Sequence, residues 1–311
     1  MKQNNLDLQY QNLLGRILQA PIKPNRTGTP THAIYGATIR HDMSEGFPLL
    51  TTKQVFHKMM RVELEGFLQG KTSKKWYKDR GCTIWNQWAN PKKVQAKLDA
   101  MTFNSEEEKI KAKLEIQEEE DDLGPIYGYM WRHWPKPVLV DRINKLYKLE
   151  EIDQVAEAIA TIKKDWTNRK QVVNAWNPAA IPEMALDPCH YSWHMSVTVD
   201  NQGEKILNLT WNQRSVDTFL GLPFNIASYG LLLTMLAQEI GMKPGILQGN
   251  LSDVHIYTNH VDQCNEQMSR TPFELPTVTL PRFTSVLEWD YTQFEVHDYK
   301  YHPSLKGSVA V

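Results

Sequence analysis

Few side chains can attack an electron-poor carbon, and Cys189 is one of them. A thiol attacks only as the thiolate, so it needs a cationic neighbour or a base. Pro188 stiffens the backbone just before it, and His190 follows it. Arg214 offers a planar fork of donors that matches a phosphate, and Ser215 adds a hydroxyl. Asn225 carries a donor and an acceptor together, which suits a heterocycle edge that presents the reverse pair. Each also has an ordinary reading: a buried structural thiol, a surface ion pair, and a helix-start residue just after Pro223. All of them fall between Met184 and Tyr229.

The elements that must position them are legible. His194 to Val199 alternates, with Met195, Val197 and Val199 on one face. Asp200-Asn201-Gln202-Gly203 turns the chain, and Ile206 to Trp211 reads as a second strand with Leu207, Leu209 and Trp211 on one side. From Pro223 the spacing becomes helical, through Ile226, Tyr229, Leu233, Leu236 and Ile240, and stops at Gly241. Arg214 is expected to leave a strand, and Asn225 to sit in the first turn of a buried helix.

Further along, Leu6 to Leu18 predicts an amphipathic helix. His57 to Gln69 predicts another, with Met59, Val62, Gly66 and Phe67 as one stripe and Glu63 on it, while Glu65 points nearly opposite. A carboxylate on an apolar face is costly unless it is paired or functional, so Glu63 is either half of a buried ion pair or a proton-handling group. Pro91 to Asp122, with its blocks Glu106-Glu107-Glu108 and Glu118 to Asp122, reads as a charged, solvated helical insert, its only apolar spacing being Ile110 and Leu114. A charged helix is expected over Leu149 to Lys164, then a strand over Val172 to Trp176.

Composition sets bounds. The 311 residues are 41% hydrophobic with a formal charge of −1, which gives no support to a long nucleic-acid footprint. Cys82, Cys189 and Cys264 form neither a disulfide framework nor a metal-ligand spacing, so a reducing compartment and no metal are expected. The first residues lack the apolar stretch of a signal peptide, and no apolar run is long enough to span a bilayer. These features predict a soluble, cytoplasmic protein.

The motifs themselves resemble one family. Met184-Ala185-Leu186-Asp187-Pro188-Cys189-His190 and Gln213-Arg214-Ser215-x-Asp217, followed by Leu220 to Tyr229, resemble thymidylate synthase, the folate-dependent family that alkylates C5 of deoxyuridylate. Asn25-Arg26-Thr27-Gly28-Thr29-Pro30, Pro48 to Lys53, Ile84-Trp85-Asn86-Gln87-Trp88, Leu123 to Gly128 and Leu251 to Tyr257 extend the likeness to nearly the whole chain outside the insert. The resemblance implies a single α/β (α+β) catalytic domain over residues 1–311, with the insert at about 91–122. It further implies a large mixed β-sheet flanked by helices, and a homodimer formed through the sheet.

The resemblance also implies roles. Cys189 adds to C6 of deoxyuridylate, making C5 nucleophilic toward the one-carbon unit of 5,10-methylenetetrahydrofolate. Glu63 handles protons with a water network that includes Tyr127. Asn225 reads the base. Arg26, Arg214, Ser215 and, from the partner subunit, the positions of Arg169 and Lys170 hold the phosphate. His190 and Gln213 also line the nucleotide site, and His255 and Tyr257 bind the deoxyribose. Lys53, Trp85, Trp88, Asp217, Gly221 and Val311 border the folate, with Asp217 also counted at the nucleotide. Hydride transfer then gives thymidylate and dihydrofolate.

The sequence departs from the family pattern at several positions: Gly66 for Trp, with extra room expected beside it, Asn86 for Asp, Lys170 for Arg, His194 for Gln and Ser252 for Gly. The same family includes nucleotide hydroxymethylases, in which water traps the exocyclic methylene, and the first three departures are compatible with that outcome. Relatives specific for deoxycytidylate tend to carry Asp at the position of Asn225, which argues for uracil here. A messenger-RNA-binding role finds no basic patch, and an inactive structural homologue is at odds with the intact set of Cys189, Glu63, Arg214 and Asn225.

Overall fold

The computed structural model describes residues 3–308, so Val311 lies outside the described residues. The chain opens with helix α1 (Asn5–Leu18), whose apolar stripe Leu6, Tyr10, Leu13, Leu14 and Ile17 is buried and whose first turn is capped by Asn4. Strands β1 (Ile22–Lys23) and β2 (Thr31–Asp42) follow, then helices α2 (His57–Leu68) and α3 (Lys74–Asp79). Next come α4 (Pro91–Asp99), α5 (Glu106–Glu119) and α6 (Tyr127–Arg132). A hairpin of β3 (Trp134–Asp141) and β4 (Leu146–Ile152) leads to α7 (Gln154–Lys164) and β5 (Val172–Asn174). The second half holds β6 (His190–Val199), β7 (Lys205–Asp217), α8 (Leu222–Ile240), β8 (Lys243–Tyr257) and α9 (Val261–Ser269), with short strands β9 (Thr277–Thr279) and β10 (Glu295–His297).

Six strands form one mixed sheet in the order β1-β2-β8-β7-β6-β5. Every neighbouring pair is antiparallel except β7 and β8, which run parallel and are joined by α8. That crossover is what a parallel pair requires. Alternate residues of β7 and β8, including Leu207, Leu209, Trp211, Leu247 and Leu251, face the core. The other face is polar and tied across strands: Asn212 donates to Ser192 at 3.0 Å and Asn250 to Asn212 at 3.0 Å, while Gln248 donates along β8 to Asn250 at 3.1 Å. Helix α8 is buried on nearly every side, hence its wide apolar surface rather than a narrow stripe. It ends where Gly241 adopts φ 76°, a left-handed cap that a side chain would oppose.

The fold corrects three expectations and adds to a fourth. The charged helix begins at Gln154, not Leu149, because Leu146–Ile152 pairs with Trp134–Asp141 as β4. Strand β7 runs on to Asp217, so Arg214 lies within it and does not leave it. Glu65 does point away from Glu63, yet it too is buried, because the segment around Trp289 and Tyr291 covers that side; it accepts from Gln69 Nε2 at 2.9 Å and from the Tyr291 N–H at 3.4 Å. In the insert, Ile110 and Leu114 are exposed, and α5 instead packs through Ala112 and Ile116 onto Val94 and Leu98. Its acidic end is not simply solvated either. Glu120 and Asp122 pair with Lys97 and Lys93 at 2.7 and 2.9 Å, and Lys74 of α3 donates to the Gln117 carbonyl at 2.6 Å.

Candidate active site

Cys189 immediately precedes β6, at the end of a loop that Arg214 holds in place. Arg214 donates from Nε to the Pro188 carbonyl at 3.0 Å and from a terminal nitrogen to the Asp187 carbonyl at 3.1 Å. Its backbone N–H donates to the Cys189 carbonyl at 2.9 Å, and its guanidinium lies over the Trp176 ring. Much of the fork is thus spent shaping the loop that carries the thiol, while the side chain stays half-exposed to a ligand. The Cys189 N–H donates to the Tyr127 phenol oxygen at 2.8 Å. That phenol keeps its own proton to offer to the sulfur. Burial pushes the Cys189 thiol up; Arg214 and the Tyr127 hydrogen bond pull it back, as does Arg26, against a weaker push from Asp187.

His190 is not the thiol's cationic neighbour or its base. Its ring is buried, stacks on Tyr127 with centroids 4.2 Å apart, and bonds Tyr229 through Nδ1 at 2.9 Å. Burial pulls its pKa down to about 3, so it is neutral at physiological pH. Arg214 and Arg26 supply the positive field instead.

Glu63 projects from α2 and is enclosed, with part of its surface left open to the site. Burial pushes its carboxyl up to about 7. The Trp85 indole N–H approaches and opposes this shift, although it falls outside hydrogen-bond geometry. Tyr77, Tyr127 and Tyr229 all feel its charge and are themselves raised by burial. Helix α6 brings Tyr127 close because Gly128 rests on the Phe67 backbone, where a Cβ would collide. No ion pair to Glu63 forms among the described residues, so of the two readings of this carboxylate the paired one fails. A group with a pKa near neutrality can both give and take a proton at working pH.

This placement has a consequence for stability. Glu63 binds its proton more tightly folded than unfolded, so stability falls as pH rises from the ordinary carboxylate range through about 7 and then levels off. Glu63→Gln is expected to reduce that fall. Thermal denaturation of both proteins at pH 5 and pH 8 measures it, and an unchanged difference would contradict the placement of this carboxyl.

Asn225 sits in the first turn of α8, and its Oδ1 accepts from Gln213 Nε2 at 3.1 Å. Gln213 also donates to the Ser215 carbonyl at 3.1 Å and accepts from the Trp211 indole at 3.1 Å. Gly221 caps α8 and Asp217 ends β7; Asp217 Oδ1 accepts from the Leu220 N–H at 2.9 Å, which folds the turn between them. His255 and Tyr257 close β8 with rings edge to face, and His255 Nδ1 meets Asp253 Oδ1 at 3.0 Å. Burial raises the pKa of both Tyr257 and Cys189, and Arg26 lies close enough to each to oppose part of that rise.

A cleft of about 1060 Å³ adjoins this cluster, with Arg26 common to both. Its walls include Trp88, Asn86, Lys74, Lys75 and Lys78, with Leu114 and Gln117 of α5 opposite. Trp85 is buried behind it. Lys53 is turned inward: it is buried, its Nζ donates to the Phe219 carbonyl and lies over that ring, and burial pulls its pKa down to about 8. Arg169 and Lys170 are exposed just before β5 and do not line the cleft of their own chain.

The extra room expected beside Gly66 is absent. Tyr77 of α3 fills it, so closely that a methyl group at Gly66 would collide with the ring. Tyr77 and Trp211 are among the contributors that sequence reasoning did not assign to the site, as are Trp176 under Arg214 and the cleft lysines Lys74, Lys75 and Lys78. Tyr77 and Trp211 lie in no recognisable motif; each is linked to the site's surroundings by the pairing of a large ring with a distant glycine (Gly66 for Tyr77, Gly249 for Trp211), which a linear sequence does not display.

A half-buried thiol under a positive field, a carboxyl near neutrality and an oriented amide are the groups that covalent catalysis on a polar heterocycle would require. The thymidylate synthase family model matches residues 8–311, and the chain belongs to that family. Its members are folate-dependent methyltransferases or close relatives of them, bind deoxyuridylate and use methylenetetrahydrofolate as co-substrate. The mixed sheet flanked by helices is the family's fold. Among the described residues, no helix is long and apolar enough to cross a membrane.

Proposed function

We propose that this chain makes thymidylate from deoxyuridylate. The carrying observation is the Cys189 loop, with Arg214 gripping the carbonyls before the thiol and Tyr127 holding its N–H. In this reading the thiolate adds to C6 while Asn225 donates to O4 and accepts from N3–H of the uracil. Arg214, Arg26 and Ser215 take the phosphate, and His255 and Tyr257 the deoxyribose hydroxyl. Glu63 moves protons at the base, consistent with its pKa of about 7. The cleft suits a folate, with Trp88 for a ring and Lys74, Lys75 and Lys78 for an anionic tail, Asp217 standing at the head of α8. The folate supplies the one-carbon unit and the hydride. Dimerisation through the sheet, with the partner's Arg169 and Lys170 at the phosphate, completes the reading.

The filled space at Gly66 supports the methyl product, since no added pocket for water opens there. One observation favours the hydroxymethylase alternative: the buried Oδ1 of Asn86, at the cleft, has no hydrogen-bond partner among the described residues and could accept from a water. Mass spectrometry of the nucleotide formed from deoxyuridylate and methylenetetrahydrofolate separates the two, because a hydroxymethyl group exceeds a methyl by one oxygen. A methyl product is expected; a hydroxymethyl product overturns the proposal.

The base assignment has its own test. An ionised Asp only accepts, so it matches uracil O4 poorly and cytosine N4–H₂ well. Asn225→Asp should shift the kcat/KM ratio from deoxyuridylate toward deoxycytidylate by about one to two powers of ten, the cost of leaving a buried polar group unpaired. An unmoved ratio would remove Asn225 as the base reader.

A further inference from the structure

An amide can turn over and exchange its donor for its acceptor, so Asn225 by itself does not choose between uracil and cytosine. We infer that Trp211 fixes which way the Asn225 amide faces, and is thereby a positioning residue for base selectivity. The inference rests on the deoxyuridylate reading above.

The polarity of each group dictates how its neighbour must face. An indole N–H can only donate, so the Gln213 atom 3.1 Å from Trp211 Nε1 must be the oxygen. Gln213 Nε2 then faces the other way, where the Ser215 carbonyl, which can only accept, takes one of its protons at 3.1 Å. The second proton goes to Asn225 at 3.1 Å, so the facing atom there must be Oδ1. With Oδ1 so held, its remaining lone pair and the Asn225 NH₂ are left for the ligand. That pair accepts from uracil N3–H and donates to uracil O4. Cytosine would put N4–H₂ against NH₂ and N3 against Oδ1, two repulsive contacts.

Serving cytosine would require Asn225 to flip. Its NH₂ would then meet the Gln213 NH₂, and Gln213 would have to flip too. That second flip sets donor against donor at Trp211 and acceptor against acceptor at Ser215. Trp211 is fully buried and Gln213 is 3% exposed, so water gives little relief. The ring itself cannot shift. It stacks on Tyr229 with centroids 5.2 Å apart and planes 6° apart, and its other side fills the space that Gly249 leaves without a side chain.

The test replaces Trp211 with benzothienylalanine, which keeps the shape of the ring and substitutes sulfur for the N–H; Trp211→Phe is the genetically encoded companion. Steady-state kcat/KM is measured for deoxyuridylate and deoxycytidylate, with binding of each followed by calorimetry. The ratio of the two is expected to fall about tenfold in the isostere, the weight of roughly one net hydrogen bond. A role in packing alone would lower both values together, and an unchanged ratio in the isostere overturns the inference. A native protein that shows no preference for deoxyuridylate would instead overturn the reading on which the inference stands.

Discussion

Cys189→Ser is expected to lower kcat by a factor on the order of a thousand or more while nucleotide binding survives. A hydroxyl at neutral pH is a far weaker nucleophile than a thiolate, and in the proposed reaction covalent addition is the step that activates C5. The surroundings cannot rescue it. The field of Arg214 and Arg26 acts to pull a thiol toward ionisation, and no such field brings a serine hydroxyl into the working range. His190 offers no general base in compensation, since at about 3 its pKa is too low to take the proton from a hydroxyl. The phosphate and base contacts assigned to Arg214, Ser215 and Asn225 do not depend on the sulfur, so calorimetry with deoxyuridylate should give near-native affinity. Near-normal kcat in this variant would sink the covalent mechanism.

The second large effect is a recovery. Arg169→Ala damages the phosphate site of the neighbouring subunit in the proposed dimer, and Cys189→Ala damages its own. Each variant alone should be nearly inactive. A heterodimer collects both lesions in one site and leaves the other intact. An equal mixture after subunit exchange should therefore regain about a quarter of native activity, as random pairing of a two-fold dimer requires. Arg169 and Lys170 are placed for this: both are exposed at the edge of the sheet, and neither lines the cleft of its own chain. Failure to recover, with exchange verified by mass spectrometry, would refute the shared phosphate site.

The parts of the site that are local in sequence were legible. The turn Asp200–Gly203 fixed the β6–β7 hairpin, and the change of period after Pro223 placed Asn225 on a helix. Glu63 stood out because a carboxylate on an apolar stripe demands a reason. What could not be read depends on contacts between distant segments. The burial of Glu65 comes from Tyr291 and its neighbours, far along the chain. The neutrality of His190 comes from Tyr127 and Tyr229 enclosing it. The hairpin β3–β4 was hidden because its residues are mostly exposed, Leu146 and Leu149 among them, so the usual signal of a half-buried strand is missing. In the insert, the apolar pair that becomes buried is Val94 and Leu98, also four residues apart, and small Ala112 of α5 meets it while Ile110 and Leu114 stay exposed.

The lone parallel pair in the sheet bears on how the catalyst comes into being. Antiparallel neighbours such as β6 and β7 can zip from a short turn, whereas β7 and β8 can pair only after α8 has formed and crossed over. Arg214 and Ser215 lie on the first of these strands, Asn225 on the helix, and His255 and Tyr257 on the second. The proposed nucleotide pocket is thus assembled by the part of the chain with the most demanding loop closure. No partly folded form with only local structure can hold the ligand, so in refolding, nucleotide binding should return in step with the slowest phase of sheet formation. By the same linkage, a bound nucleotide stabilises the whole sheet rather than one loop, and its protection against hydrogen exchange should reach the central amides of β7 and β8.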